Sequence, residues 1–124
     1  MANPFVHNEL NTTDVGKAKA FYGALFSWEL KDVPMGAMGT YTTIGVGGGA
    51  TGGGIMQHPM PGQPSSWLAY VGVDDVKAAT AKAKSLGANI IADVTPIPEI
   101  GSFSIIMDPT GAVLGLFQAL PRKA

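Results

Sequence analysis

The chain of 124 residues contains no cysteine, so disulfide bonds and catalysis by a thiolate are both excluded. Charged residues are also few, at 14%, and the formal net charge is −1. Without a run of basic residues, this balance does not favour binding to nucleic acid or to an anionic membrane surface. No apolar stretch approaches the roughly 20 residues of a membrane-spanning helix, and the N-terminus has no signal-peptide pattern. We therefore expect a cytoplasmic protein that binds neither nucleic acid nor membrane.

The most informative feature that is present is an internal repeat at an offset of 61 residues, about half the chain. Asp14-Val15 corresponds to Asp75-Val76 in the second half. The segment 54–57, Gly-Ile-Met-Gln, likewise corresponds to the segment 115–118, Gly-Leu-Phe-Gln. Two copies at so long an interval indicate one domain with pseudo-twofold symmetry rather than a solenoid.

Apolar periodicity and turn residues predict the same order of elements in both copies. In the first copy we predict a helix through Ala18–Phe26 and strands at Phe5–Asn11, Ser27–Val33, Tyr41–Val46 and Gly52–Gln57. In the second copy we predict a helix at Val76–Leu86 and strands at Trp67–Val73, Asn89–Val94, Ser102–Met107 and Val113–Gln118. The prediction is a single α+β domain of residues 1–124. Its two βαβββ modules lie at about 4–58 and 66–120, and a proline-rich linker at about 59–65 joins them.

A glycine-rich stretch at 47–52 matches the pattern G-x-G-x-x-G letter for letter. Dinucleotide binding requires that this pattern open a helix, whose N-terminus meets the pyrophosphate. Here Ile55 to Pro59 follow, with no helical periodicity and with a proline. We therefore interpret the stretch as a hairpin loop, in which glycines supply positive φ.

Aromatic residues are concentrated around the first predicted helix. Phe21, Tyr22, Phe26 and Trp28 follow a helical spacing that is typical of packing between a helix and a sheet, and we expect them in the core. Trp67 is out of phase with Leu68 on the same strand, so we expect it behind the sheet or near the linker.

Five segments resemble those of a known superfamily: 9–14, 20–28, 53–56, 70–76 and 108–112. Together with the paired βαβββ pattern, they make the chain similar to the vicinal oxygen chelate proteins. That superfamily contains glyoxalase I, extradiol dioxygenases and bleomycin-resistance proteins, and the closest resemblance is to its small glyoxalase-like members. The resemblance implies two modules related by a pseudo-twofold axis, which form an open, cleft-containing barrel with a ligand in the groove. It also points to a homodimer.

The resemblance further implies where a metal would be bound, on the first and last strand of each module. The glyoxalase I pattern, combined with the repeat, assigns these positions to His7, Gly54, Leu68 and Gly115. Only His7 has a side chain that binds metals, whereas a catalytic zinc usually has about three protein ligands. We therefore expect no metal site and no cofactor. The alternative is a weakly bound metal, because His7 and Glu9 lie on one face of the strand and could both be its ligands, with water completing the shell.

The same positions predict a small-molecule site, because residues two apart on a strand share one face. A mostly apolar wall with a few polar groups is typical of such sites. We expect the two glycines to leave room for a ligand to approach the backbone. The predicted ligand-binding residues are His7, Glu9, Asn11, Gly54, Met56, Leu68, Tyr70, Gly115 and Phe117.

The leading functional prediction is a small-molecule-binding protein in which Glu9 and His7 are the main polar groups of the site. The alternative is a lyase, isomerase or dioxygenase that uses Glu9 as general base or a weak metal at His7. Two further possibilities stay open: Glu9 and His7 are structural, or the domain is an accessory one whose groove its own side chains fill. Among weaker candidates, Glu99 lies in a proline-flanked loop that could cover the groove, and His58 is expected to be a solvated linker histidine.

Overall fold

The computed structural model describes residues 2–34, 39–98 and 100–120. Within these ranges, two helices and eight strands follow one another as βαβββ twice, which confirms the predicted α+β fold and both predicted helices. The elements are β1 (Phe5–Thr12), α1 (Val15–Leu25), β2 (Glu29–Pro34), β3 (Thr40–Gly45), β4 (Gly53–Gln57), β5 (Ser66–Gly72), α2 (Val76–Ser85), β6 (Asn89–Ile97), β7 (Gly101–Met107) and β8 (Val113–Ala119).

The chain divides into two compact units. The first unit runs from His7 to Leu68, and the second unit runs from Ala69 onward and includes the N-terminal residues up to Val6. The strand order is β2-β3-β4-β1 in the first unit and β5-β8-β7-β6 in the second. In each unit the first and last strands pair in parallel and the others are antiparallel. The two end strands of each order do not pair with one another, so neither unit forms a closed barrel.

The strand registers confirm the repeat. In the first unit Glu9 on β1 lies opposite Gly54 on β4. In the second unit Tyr70 on β5 lies opposite Gly115 on β8. Both partners are displaced by the same 61 positions that the sequence predicts.

Each helix begins at an aspartate whose side chain caps it. The Asp14 carboxylate accepts a hydrogen bond from the Lys17 amide at 3.0 Å, and the Asp75 carboxylate accepts one from the Ala78 amide at 3.1 Å. These bonds satisfy amides that have no partner within the first helical turn. Neither helix is long and apolar enough to cross a membrane.

The two units have separate hydrophobic cores. The first is centred on Leu10, Ile44 and Ile55, and the second on Val76, Ile106 and Leu116. The helices contribute unequally, since α2 buries Val76 and Thr80, whereas α1 has no buried residue.

The aromatic residues around α1 only partly follow the prediction. Tyr22 and Trp28 pack against the first core, and the ring of Trp67 contacts both of them, at centroid distances of 5.5 and 6.3 Å. Phe21 and Phe26, however, are exposed, so their assignment to the core was wrong. The helical spacing identifies a shared apolar stripe, but the structure shows that nothing among the described residues covers its outer part.

The glycine-rich stretch joins the antiparallel strands β3 and β4 as predicted. Gly47, Gly48 and Gly49 have φ of 73°, 63° and 72°, a region that residues with a Cβ rarely adopt. The glycines therefore form the turn, and no helix follows that could receive a pyrophosphate.

Candidate functional site

A chain of three polar side chains lies on one face of the first unit's sheet. The alternation along β1 brings His7 and Glu9 to the same face, where both meet Tyr41 from β3. The His7 Nε2 atom lies 2.7 Å from the Tyr41 hydroxyl oxygen, and that hydroxyl lies 3.0 Å from Oε2 of Glu9. The imidazole and phenol rings are nearly parallel, with an interplanar angle of 23°. We call these three residues the polar centre.

The hydrogen-bonding capacity of each group fixes the direction of the chain. A carboxylate oxygen only accepts, so Tyr41 donates its single hydroxyl proton to Glu9. Tyr41 must then accept a hydrogen bond from His7, whose Nε2 therefore carries a proton. Burial lowers the pKa of the His7 imidazole below its ordinary value of 6.5. At neutral pH we therefore infer a neutral imidazole in the Nε2–H tautomer.

Glu9 supplies the carboxylate of the polar centre and is buried, with 9% of its surface exposed. A carboxylate in such a position is costly unless it is hydrogen-bonded, and Tyr41 supplies one such bond. Asn11 is two residues further along β1 and is also buried, opposite the half-buried Met56 on β4. The structure thus links His7 and Glu9 through Tyr41, and it places Asn11 buried further along the same strand.

The expectation that Gly54 leaves the backbone open to a ligand is wrong. A Cβ at this position would overlap the ring of Tyr41, which lies directly against the Gly54 α-carbon. The same holds for Gly115 in the second unit, where the ring of Tyr70 takes that space. Glycine is required at both positions because an aromatic ring from a neighbouring strand covers it.

The predicted residues of the second unit form their own apolar group. Tyr70 on β5 is buried, covers Gly115, and meets Phe103 of β7 edge to face at a centroid distance of 6.3 Å. Phe117 on β8 is half-buried and lies opposite Phe103 in the strand register. That these residues share one groove with those of the first unit stays a prediction.

The remaining candidates have simpler environments. Leu68 is buried. His58 accepts a hydrogen bond from the Met60 amide at 3.1 Å, which holds it in the linker. Glu99 lies outside the described residues.

The polar centre lines neither of two recesses on the described surface. One, of about 60 Å³, is flanked by Trp28 and Trp67 in the first unit. The other, of about 520 Å³, is open and lies between α2 and β6 in the second unit. Since the Tyr41 ring fills the space beside Glu9 and Gly54, a ligand that reaches Glu9 must make contact with Tyr41 as well.

The donor set does not fit a resident divalent metal. Within residues 2–34, 39–98 and 100–120, no three histidine, aspartate or glutamate side chains come together. Gly54, on the strand next to Glu9, has no side chain that could supply a further ligand. The polar centre is therefore better suited to hydrogen bonding than to metal coordination.

Similarity to known proteins extends over almost the whole chain. The family model described as Glyoxalase/Bleomycin resistance protein/Dioxygenase superfamily matches residues 5–116. Proteins of Mycobacterium bovis and Mycobacterium tuberculosis named "Putative glyoxylase CFP32" are 36% identical over 118 residues. The match covers 95% of this chain but 45% of those relatives, so the chain spans about half their length.

Solved structures share the fold at low sequence identity. The hypothetical protein BH1468 from Bacillus halodurans is 13% identical, with a TM-score of 0.73, and the match covers 100% of this chain and 99% of that one. Methylmalonyl-CoA epimerase from Mycobacterium tuberculosis is 15% identical, with a TM-score of 0.71 and coverage of 94% and 88%. At these identities the likeness demonstrates a common fold.

Proposed function

Because the chain belongs to the glyoxalase/bleomycin resistance protein/dioxygenase superfamily, we propose that it binds a small molecule through the polar centre of its first unit. Glu9 is the recognition group in this proposal. A carboxylate presents only acceptors, so the ligand is a hydroxylated or cationic compound that donates hydrogen bonds.

The single observation that carries the proposal is a difference between the two repeats. Both units place a glycine on the last strand and cover it with a tyrosine ring. In the second unit the covering ring is Tyr70, which is the counterpart of Glu9 in the repeat. The second unit therefore covers its glycine without a carboxylate at this position. The need to cover the glycine therefore does not explain why the first unit buries a carboxylate. Burial removes water from this carboxylate and so lowers the stability of the protein. Recognition of a ligand supplies a reason for retaining it.

A thermal-shift screen against hydroxylated and cationic metabolites and aromatic antibiotics tests the proposal. A ligand present at 100 times its dissociation constant stabilises the protein by about 2.7 kcal/mol. For each compound that stabilises the wild type, we expect Glu9→Gln to weaken binding at least about tenfold, since a hydrogen bond to a charged group contributes about 1.5–3 kcal/mol. Glu29→Gln is the matched control, because Glu29 is an exposed carboxylate on β2 of the same unit. Equal affinities of Glu9→Gln and the wild type for every compound would rule out the polar centre as the site.

A second candidate function is a lyase or isomerase in which Glu9 removes a proton from a carbon acid. The chain of carboxylate, phenol and neutral imidazole favours it, since these groups are the ones from which general acid–base catalysis is built. One of the structural neighbours is a methylmalonyl-CoA epimerase, so methylmalonyl-CoA is the first compound to incubate with the protein in deuterated water. Incorporation of deuterium that Glu9→Gln abolishes supports the enzyme, whereas binding without exchange supports recognition alone.

Elemental analysis of untagged protein addresses the remaining alternative of a weak metal at His7. We expect no stoichiometric transition metal. A metal that is present at one equivalent and lost in His7→Ala would contradict the proposal.

A further inference from the structure

The open recess of about 520 Å³ lies between α2 and β6, which both belong to the second unit. Its volume is within the range of about 300–1,000 Å³ that is typical of small-molecule sites. The polar centre belongs to the first unit, and none of the predicted ligand-binding residues lines this recess. A ligand bound here would therefore be a second one, independent of the polar centre.

One side of α2 forms the first wall of the recess. The residues of this wall are spaced as i, i+3, i+4 and i+7, which places them along one face of the helix: Lys77, Thr80, Ala81 and Lys84. A lysine therefore lies at each end of the wall, and the two are about 10 Å apart along the helix axis. Thr80 is buried between them, and its hydroxyl is bonded to the Val76 carbonyl and to Ser104. The lysines are thus the groups of this wall that can donate hydrogen bonds to a ligand.

A β-bulge in β6 shapes the second wall. Three residues of β6 form this wall: Ile90, Asp93 and Val94. The register slips by one residue between the pairs that Ala92 and Thr95 form with β7. Because such an extra residue interrupts the alternation of side chains along a strand, the neighbours Asp93 and Val94 both reach the recess. The Asp93 carboxylate accepts a hydrogen bond from the Val94 amide at 2.7 Å, which fixes it at the bulge.

The charges around the recess favour an anion. The segment from Val76 to Ala92 contains three lysines and no acidic residue, although the whole chain has a net charge of −1. Within the part of the chain that the structure describes, no carboxylate lies within 4.0 Å of the ammonium group of Lys77 or Lys84. Lys77 is also in the first turn of α2, where the helix dipole disfavours a positive charge, so helix stability does not account for it. A bound anion would account for it.

We propose that the recess between α2 and β6 binds a small organic anion with an apolar body. Lys77 and Lys84 hold the anionic group, because their long, flexible side chains can reach a common point from the two ends of the helical wall. The apolar body lies against Ile90 and Val94. Asp93 places a negative charge on the strand wall, so a second anionic group would be repelled there.

Titration of the full chain, followed by ¹H–¹⁵N correlation spectra, locates and measures this binding. The probes are phenyl phosphate, benzoate and the uncharged benzyl alcohol. We expect at least one of the two anions to shift amide resonances of α2 and β6 and to bind more tightly than benzyl alcohol, and the tighter anion identifies the preferred group. The same group without its ring, as inorganic phosphate or acetate, should bind more weakly because it lacks the apolar body.

Variants that change one charge test the role of the lysines. Lys77→Gln and Lys84→Gln should each weaken binding of the tighter anion about two- to fivefold, which corresponds to the energy of an exposed ion pair. Lys82→Gln is the matched control and should bind as the wild type does, because Lys82 is an exposed lysine of the same helix that does not line the recess. Asp93→Asn removes the negative charge but keeps an acceptor for the Val94 amide, so it should strengthen binding.

A final variant leaves every charge in place. Ala81→Trp puts a large side chain into the recess from an exposed position of α2, and it should abolish binding while circular dichroism shows an unchanged fold. The proposal would be overturned if neither anion shifted resonances of α2 and β6. It would also be overturned if Lys82→Gln weakened binding as much as Lys84→Gln, or if Ala81→Trp bound the anion as tightly as the wild type.

Discussion

Gly54→Ala is the most informative single substitution in the first unit. The added methyl group would overlap ring atoms of Tyr41, so the ring must move away from the β4 backbone. Gly54 does not have a positive φ, and an alanine at this position meets no backbone strain. The three atoms that the methyl group would approach most closely all belong to Tyr41, so its effect on stability reports chiefly that contact.

The structure supplies the magnitude in two parts. Forcing an extra methyl group into a packed site costs about 1–3 kcal/mol. Displacing the Tyr41 hydroxyl also breaks its bond to the buried Glu9 carboxylate, which costs about a further 1–3 kcal/mol. We expect Gly54→Ala to lower the free energy of unfolding by on the order of 3 kcal/mol.

Urea denaturation measures this change, and the chain offers a matched control of opposite sign. Gly23 is exposed within α1, and a Cβ there would meet only Leu30 Cδ1, at 3.7 Å. Because alanine is the better helix former, Gly23→Ala should raise the free energy of unfolding by up to about 1 kcal/mol. The same substitution, glycine to alanine, should therefore destabilise the protein at position 54 and stabilise it at position 23.

A double-mutant cycle identifies Tyr41 as the cause. Tyr41→Ser removes the ring and installs the residue that the repeat places there, since Ser102 is the counterpart of Tyr41. In that background Gly54→Ala should cost less than about 0.5 kcal/mol, the usual limit for independent sites. A cost that stays near 3 kcal/mol without the ring would refute the explanation.

Two further predictions concern buried polar groups. Because burial lowers the pKa of His7, the unfolded state binds a proton more readily, so stability that is present above pH 6.5 should be lost as the pH falls below it. The difference in unfolding free energy between wild type and His7→Gln should shrink from pH 7.5 to pH 5, and a difference that does not change with pH would contradict this. In the second core, the Thr80 and Ser104 hydroxyls lie 2.8 Å apart and Ser104 is 0% exposed. Thr80→Val should cost about 1–3 kcal/mol in urea denaturation, and adding Ser104→Ala should recover part of it; strictly additive costs would show that the hydroxyls are not coupled.

The repeat made most of the fold predictable, because identical offsets constrain strands that periodicity alone leaves ambiguous. The repeat relates the two observed pairings, since Tyr70 and Gly115 lie 61 positions after Glu9 and Gly54. The end of β6 was missed, since Pro96 indicated a loop after Val94. In the structure β6 continues through Pro96 to Ile97. It is the edge strand of its unit, and an edge strand tolerates a proline because one of its sides needs no amide hydrogen for pairing.

Tyr41 could not be found by the repeat, because its counterpart is Ser102 and the two residues share no chemistry. A different signal was available in the strand register. Thr43 pairs with Gly54, so Tyr41, two residues earlier on β3, lies on the same face and can reach diagonally across the glycine. The exposure of Phe21 and Phe26 was missed for another reason, since helical spacing does not reveal how far around a helix the protein covers an apolar stripe.

The protonation of His7 tests the central claim, that imidazole, phenol and carboxylate form one directed hydrogen-bonded chain. Long-range ¹H–¹⁵N correlation spectra at neutral pH distinguish the two nitrogens of each imidazole. We predict that His7 is neutral with the proton on Nε2, and that Tyr41→Phe shifts its Nε2 resonance while leaving that of His58 unchanged. A His7 that carries its proton on Nδ1 in the wild type, or that does not respond to Tyr41→Phe, would contradict the account.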